Sequence, residues 1–447
     1  MPDMKKQRGQ FFTKNATVHA VMGNLVSSHT GRVLEPSAGA GDLVNLMENR
    51  YEDTFEIDAV ELDDTLLHTC RTPVTHEDFF TYARTLDESY DVIIGNPPYV
   101  AWKGLEKATM VSAASIKARY TDKTNLYHLF IDRCIDLLKP QGELVFIVPK
   151  EWLFTSSAQP LREKIMKEGA LTHLVDCGEE KLFDDADVPA LLIFRFVKGA
   201  DSSTGTMFAA SLTAAYQGTW DQRYLYNRNG RLLLLSKTLG DTISEWGVLR
   251  DSYRVRVGIV TGADKVFKVS HGLVVEPSCV KEYLTTKGLE KFIDVGHVKE
   301  WKDMPPLTAA YLLQHKEQLI TRGIADFDET NWWKYGAVRN KEAMLSKRAR
   351  FYGIVKTRSN TPFFMSPNAV LFGGGILGMF STEETDVTIP TAVKVLNSPA
   401  YWEIFEAMFL TTGDKVSLQP ATLEDAPFPR TEADAVKWLS ALVSSTI

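Results

Sequence analysis

The 447-residue chain has four cysteines, Cys70, Cys134, Cys177 and Cys279, which lie far apart and form no Cys-x-x-Cys pair. That scarcity argues against a disulfide framework or a zinc site, and for a reducing cytoplasm. No run of about 18 apolar residues occurs, so no membrane-spanning helix is expected. The basic start, MPDMKKQRGQFFTK, leads into no apolar stretch of the kind a secretory signal needs. Gly-Lys-Ser and Gly-Lys-Thr are missing, which argues against an ATP-phosphate cradle, and the glycine turn at Gly39 and Gly41, followed by Leu43 and Val44, does not match the dinucleotide pattern Gly-x-Gly-x-x-Gly. There is no Pro-Cys dipeptide to supply a thiolate nucleophile.

Positive charge is also short overall, with 50 Lys and Arg against 57 Asp and Glu. The deficit is local. Residues 1–200 hold 22 basic against 30 acidic side chains, net −8, whereas residues 223–358 hold 24 against 15, net +9. An acidic half followed by a basic half suggests that contacts to a polyanion fall to the second. Hydrophobic residues at 44% and charged residues at 24% are those of a globular chain, and its length fits two domains.

The first half alternates short apolar runs with longer segments. Strands are expected at Arg32–Glu35, Glu56–Glu61, Asp91–Gly95, Glu143–Pro149, Leu171–Asp176 and Ala190–Val197. Their near-continuous apolar character fits a largely parallel sheet covered on both faces. Asn125–Lys139 reads as a crossover helix with Leu126, Phe130, Cys134 and Leu137 on one face, stopped by Pro140–Gly142. The expected class is therefore α/β, doubly wound. After Val197 the alternation is lost. Lys198–Thr206 is polar and fits a loop or linker, aromatics mix with basic residues over Trp220–Arg231 and Trp332–Arg358, and Gly373–Gly375 is a glycine run. The boundary is placed near residue 222, giving domains 1–222 and 223–447.

Two clusters carry chemistry. In LEPSAGAGDL (Leu34–Leu43), Gly39 and Gly41 allow a tight turn and close ligand approach at a helix start. Glu35 precedes the turn. Glu61, roughly twenty residues on and ending the next strand, is placed to accept from ribose hydroxyls. Asp78, with Phe79 beside it, follows a third strand and suits an adenine amino group and ring. A nucleoside-bearing cofactor without a pyrophosphate fits this set. The second cluster is Asn96-Pro97-Pro98-Tyr99, directly after a strand. The prolines hold Asn96 extended and leave carbonyls without local N–H competitors. The Asn96 side-chain oxygen and the Pro97 carbonyl can then accept both hydrogens of a planar amino group while Tyr99 stacks on the ring carrying it. That grip frees a delocalised nitrogen lone pair for alkylation with no covalent enzyme intermediate.

On these motifs the chain resembles the amino-group DNA methyltransferases with Asn-Pro-Pro-Tyr, in the gamma arrangement of TaqI-type enzymes. The likeness covers most of the first 200 residues. It implies a Rossmann-like class I methyltransferase domain followed by a mixed α+β target-recognition domain, with S-adenosyl-L-methionine as cofactor and N6 of a flipped adenine in double-stranded DNA as target. GQFFT would bring Phe12 and Thr13 to the cofactor, and LEPSAGAG would bring Glu35, Pro36, Ser37, Ala38, Gly39 and Gly41. Glu61, Leu62, Asp78, Phe79, Asn96 and Pro98 would complete that set. Asn96, Pro97 and Tyr99 would be catalytic, with Phe183 stacking on the base opposite Tyr99. A basic residue common after that phenylalanine is missing here, where Asp184, Asp185, Ala186 and Asp187 stand. TNLYHLF and GELVFIVPKEWL follow in family order.

In the second half VGIVTGADKVF, WWKYG, LNSPAYWEIF and LQPATLEDAPFP are phrases of such recognition domains, and Arg254, Arg256, Lys334, Arg339 and Arg358 are candidates for phosphate or base contact. No metal is expected. The resemblance also implies a prokaryotic or viral restriction–modification setting, in which a separate cognate endonuclease is a possible partner. Other readings are methylation of an rRNA base, a protein glutamine or cytosine N4, or an inactive DNA-binding module.

Overall fold

A computed structural model describes residues 15–51, 54–178, 182, 190–367, 370–408, 411–412 and 415–444. The chain forms two compact units, Met1–Gly240 and Asp241–Ile447.

The first unit is built on ten strands: β1 (Gly31–Glu35), β2 (Phe55–Glu61), β3 (Val74–His76), β4 (Tyr90–Gly95), β5 (Leu138–Pro149), β6 (Gly169–Asp176), β7 (Leu191–Lys198), β8 (Thr206–Ala209), β9 (Asp221–Arg228) and β10 (Arg231–Leu235). Their spatial order is β10-β9-β8-β6-β7-β5-β4-β1-β2-β3. From β3 to β5 all neighbours are parallel. β7 runs antiparallel between β5 and β6. Central strands are mainly apolar because helices cover both faces; Val92, Ile93 and Ile94 are fully buried, as are Val145 to Val148. The order reverses between β1 and β4, and ligands of open α/β sheets bind outside the carboxyl ends at such a switch point.

Helices α1 (Ala16–Leu25), α2 (Asp42–Tyr51), α3 (Phe79–Tyr82), α4 (Leu126–Leu137) and α5 (Gln159–Glu168) fill the connections. Asn15 caps α1 through Thr17 and Val18 N–H groups. Asn125 caps α4, a helix buried nearly all round. The helix stops at Leu137, two residues before the expected end, because Leu138 already pairs with Tyr90 as the start of β5. Gln141 then turns the chain at φ 66°.

The sheet runs past the boundary expected at residue 222. β9 pairs with β8, and β10 with β9, so Trp220–Arg231 belongs to the first unit. Lys198–Thr206 is a turn within that sheet, between β7 and β8, rather than a domain linker. Buried Arg162 on α5 anchors the addition, its guanidinium donating to the carbonyls of Gly230, Trp152 and Thr155.

The second unit is mixed α+β. Tyr253–Val257, Ile376–Ser381, Arg350–Ile354 and Phe363–Phe364 form one sheet, and Gly288–Ile293, Val280–Thr285 and Leu371–Phe372 another. Helices Ile389–Leu396, Pro399–Ala407 and Glu432–Ser444 complete it. Among the described residues no helix is long and apolar enough to cross a membrane.

One tie in the first unit lends itself to a stability test. The Glu143 carboxylate, 2% exposed, accepts from the backbone and hydroxyls of Ser27 and Ser28 and from Arg195. Burial alone would raise its pKa, but these donors, Arg195 foremost, outweigh burial and hold it below the ordinary value of 4.5. An acid depressed on folding stabilises above its unfolded pKa, and that stabilisation fades as pH falls through the folded value. Glu143→Gln is expected to cost about 2 kcal/mol near neutrality. Calorimetric melting of both proteins should show the gap narrowing below pH 4.5.

Candidate functional site

The parallel strands bring their carboxyl ends to one edge, where the sequence-selected residues gather. β1 ends at Glu35, and the turn from Pro36 to Gly41 leads into α2. Gly39 and Gly41 take φ of +54° and +91°, and a Cβ at Gly41 would stand 2.8 Å from Cys70 Sγ. The backbone therefore favours glycine at both positions, and the close approach of Cys70 requires it at Gly41. The turn is fixed to β2 through Ala38 N–H, which donates to the Val60 carbonyl at 2.8 Å.

Glu61 ends β2. Its carboxylate accepts from Gly39 N–H at 2.8 Å and from Asp63 N–H at 2.9 Å. It thus ties the glycine turn to its own strand end, while each oxygen retains capacity for a further donor. Leu62 next to it is 47% exposed, an apolar surface at the strand end. Asp78 follows β3, half-buried, and caps α3 through Thr81 N–H at 3.1 Å. Phe79 is 3% exposed and stacks on Phe130 at 4.7 Å between ring centroids. Its ring is already held in the core.

Glu35 is 2% exposed. It accepts from Ser37 N–H at 3.1 Å and from the Ser37 hydroxyl at 3.3 Å. The Ser37 hydroxyl also lies 3.2 Å from the Asn96 carbonyl, linking the turn to the second cluster. Gly95 allows this approach: a Cβ there would sit 2.9 Å from Glu35 Oε1. Burial pushes the Glu35 carboxyl up to about 8, against the pull of Ser37 and with the help of Glu61's charge. The group is mostly protonated at neutral pH.

Asn96 to Tyr99 leave β4 at the same edge. Pro97 is buried, and Asn96, Pro98 and Tyr99 are half-buried. The Tyr99 hydroxyl donates to the Asn96 side-chain oxygen and lies 2.9 Å from the Ile147 carbonyl on β5. The loop is held further by Leu126 N–H on the Val100 carbonyl at 2.8 Å and Trp102 N–H on the Thr124 carbonyl at 3.0 Å. This seats Tyr127 edge-on to Tyr99, with centroids 6.0 Å apart and planes at 82°. Lys150 and Asp176, at the ends of β5 and β6, pair at 3.0 Å, and Asp176 also accepts from Gly178 N–H.

The turn, Glu61, Leu62, Asp78 and the Asn96–Tyr99 loop are thus brought to one edge. Phe12, Thr13 and Phe183 lie outside the described residues. Sequence reasoning missed Tyr127, hidden in a helix buried nearly all round, and the Ser37–Asn96 link, which no spacing rule reports. Among the described residues no cluster of three metal-ligating side chains occurs.

In the second unit Arg254, Lys334, Arg339 and Arg358 are exposed. Arg256 is engaged by Glu424 at 3.3 Å and by its neighbour's carbonyl. The Val257–Phe267 and Trp332–Gly336 phrases meet around buried Arg322, which donates to the carbonyls of Thr261, Trp332 and Lys334. Trp332 and Trp333 face the core at 2% exposure each, so these phrases hold the unit together and leave Lys334 on the surface.

Residues 38–183 match the family described as Eco57I restriction-modification methylase. Type II methyltransferase M.HincII of Haemophilus influenzae is 31% identical over 207 residues, 44% of this chain and 39% of that protein. Type II methyltransferase M.XhoI of Xanthomonas vasicola is 26% identical over 426 residues, 75% of each chain. The match to M.HincII thus spans about two-fifths of that relative's length. The Type IIL restriction-modification enzyme MmeI in complex with DNA overlays 96% of this chain and 72% of its own at 10% identity, with a TM-score of 0.47. The chain is similar, most strongly in its first unit, to the Type II methyltransferases of restriction–modification systems.

Proposed function

We propose that this protein transfers a methyl group from S-adenosyl-L-methionine to N6 of an adenine flipped out of double-stranded DNA. The observation that carries the reading is the convergence of the glycine turn, Glu61 and Asn96–Tyr99 at one sheet edge, joined through Ser37. The kinship with Type II methyltransferases supports DNA as substrate. Asn-Pro-Pro-Tyr, rather than Ser-Pro-Pro, supports adenine over cytosine.

The residues present fit the cofactor. Gly39 and Gly41 leave room for its methionine end, Glu61 has acceptor capacity for the ribose, and exposed Leu62 with Asp78 offers a face and an acceptor for its adenine. When bound it supplies a methyl made electrophilic by a sulfonium. Asn96 and the Pro97 carbonyl would accept the hydrogens of the target amine and so free the nitrogen lone pair from the ring π-system to attack that methyl, the sulfur keeping the electron pair of the broken S–C bond. The methylated nitrogen would then pass one proton to solvent water. Tyr99 holds the base by stacking, and Phe183 is assigned the opposite face. Arg254, Lys334, Arg339 and Arg358 are assigned to phosphate or base contacts, which positions the duplex. Arg256, engaged by Glu424, has a weaker claim. A cognate endonuclease as partner also belongs to this reading.

Glu35 links the site to pH. Its carboxyl titrates near 8, and a cationic cofactor at the adjoining turn favours the ionised form. Affinity for S-adenosyl-L-methionine is therefore expected to rise with pH through 7 and level off above about 8. Calorimetric titration should show that slope in the wild type and a flat profile in Glu35→Gln.

The reaction is tested with methyl-labelled cofactor, unmethylated genomic DNA and digestion to nucleosides. Label should appear in N6-methyladenine, and Asn96→Ala should lower the rate by about 100-fold or more. Label in N4-methylcytosine, or cofactor binding with no label in DNA, overturns the reading.

A further inference from the structure

The Asn96 side-chain oxygen, which the target amine needs, carries the Tyr99 hydroxyl as a donor in this structure. Tyr99 also reaches the Ile147 carbonyl, so its ring is drawn toward β5. A base seated on Asn96 and stacked on Tyr99 requires that hydroxyl to leave the oxygen. A ring that leaves β5 to stack on the base also carries its hydroxyl off the Ile147 carbonyl, and the displaced phenol must then find another partner, because burying an unpaired hydroxyl costs about 1–3 kcal/mol.

A partner stands next to it. Tyr127 is fully buried, and its hydroxyl has no hydrogen-bond partner among the described residues. Its ring meets Tyr99 edge-on. Tyr127 is held there by the Val100–Leu126 and Trp102–Thr124 backbone bonds and by the Asn125 cap, so it moves only with the catalytic loop itself. Native proteins rarely leave such an oxygen unsatisfied, and one that persists calls for an explanation in function.

We propose that Tyr127 is a positioning residue for methyl transfer: its hydroxyl receives the Tyr99 hydroxyl when the target amine displaces it from Asn96. The inference rests on the methyltransferase reading above. Tyr99 thus has two seats. On Asn96 it keeps the amine acceptor satisfied before the base arrives, and on Tyr127 it is held while its ring stacks on the base. The exchange conserves hydrogen bonds, since the amine replaces the phenol on Asn96 as the phenol pairs with Tyr127.

A double-mutant cycle separates this from simple packing. kcat and KM for DNA are measured for the wild type, Tyr127→Phe, Tyr99→Phe and the double variant, with cofactor affinity followed in each. Tyr127→Phe should lower kcat/KM about five- to tenfold in the wild-type background. In the Tyr99→Phe background, where no hydroxyl needs reseating, the same change should alter it by less than twofold. Phenylalanine retains the ring in every case, so folding and stacking survive. An equal loss in both backgrounds assigns Tyr127 to packing, and no loss in either leaves its hydroxyl without a part; both outcomes overturn the proposal. A wild type that binds cofactor yet methylates no DNA removes the methyltransferase reading, and this inference with it, in a way the cycle does not mimic.

Discussion

Parallel strand pairing is the constraint on which the site depends. β1, β2, β3, β4 and β5 run in one direction, so their carboxyl ends share an edge and whatever follows each strand is displayed there. Glu35, Glu61, Asp78 and Asn96 are separated by up to 61 positions in the chain, yet each follows or ends a strand of that set. The reversal between β1 and β4 opens the crevice beside which the glycine turn and the Asn96–Tyr99 loop sit, and Ser37 joins them.

Polar groups at this edge are under unequal pressure. Glu61 is satisfied by two backbone donors and is fixed in place. Glu35 is buried with Ser37 as its sole donor among the described residues, and burial pushes its carboxyl up to about 8. The Tyr127 hydroxyl is buried with no hydrogen-bond partner among the described residues. Unsatisfied groups beside a strand-end loop cost stability and are retained where a ligand or a moving side chain completes them. The site combines a rigid frame with a few groups that await a partner, as expected for one that must take up a cofactor and a base in turn.

Much of this was legible in the sequence. Apolar runs bounded by glycine and proline located the strands from Arg32 to Val197, and the phrases ending them located Glu35, Glu61, Asp78 and Asn96. Contacts were harder to read. The pull of Asp78 onto Thr81 and of Phe79 onto Phe130 depends on side-chain geometry rather than spacing. The change of texture after Val197 suggested a linker, yet β8 continues the same sheet parallel to β6, and β9 and β10 extend it antiparallel, because antiparallel pairing needs no strand–helix alternation. In the second unit the aromatic-rich phrases proved to be core around Arg322.

Site-specific adenine methylation is the central claim. Its most direct measurement is a base-resolution map of modified nucleotides in DNA from a methylation-deficient bacterial host expressing this chain. The account predicts N6-methyladenine at nearly every copy of one short sequence, and none in the same host expressing Asn96→Ala. An expressed, folded protein that leaves adenines unmodified, or modifies cytosines instead, would contradict it.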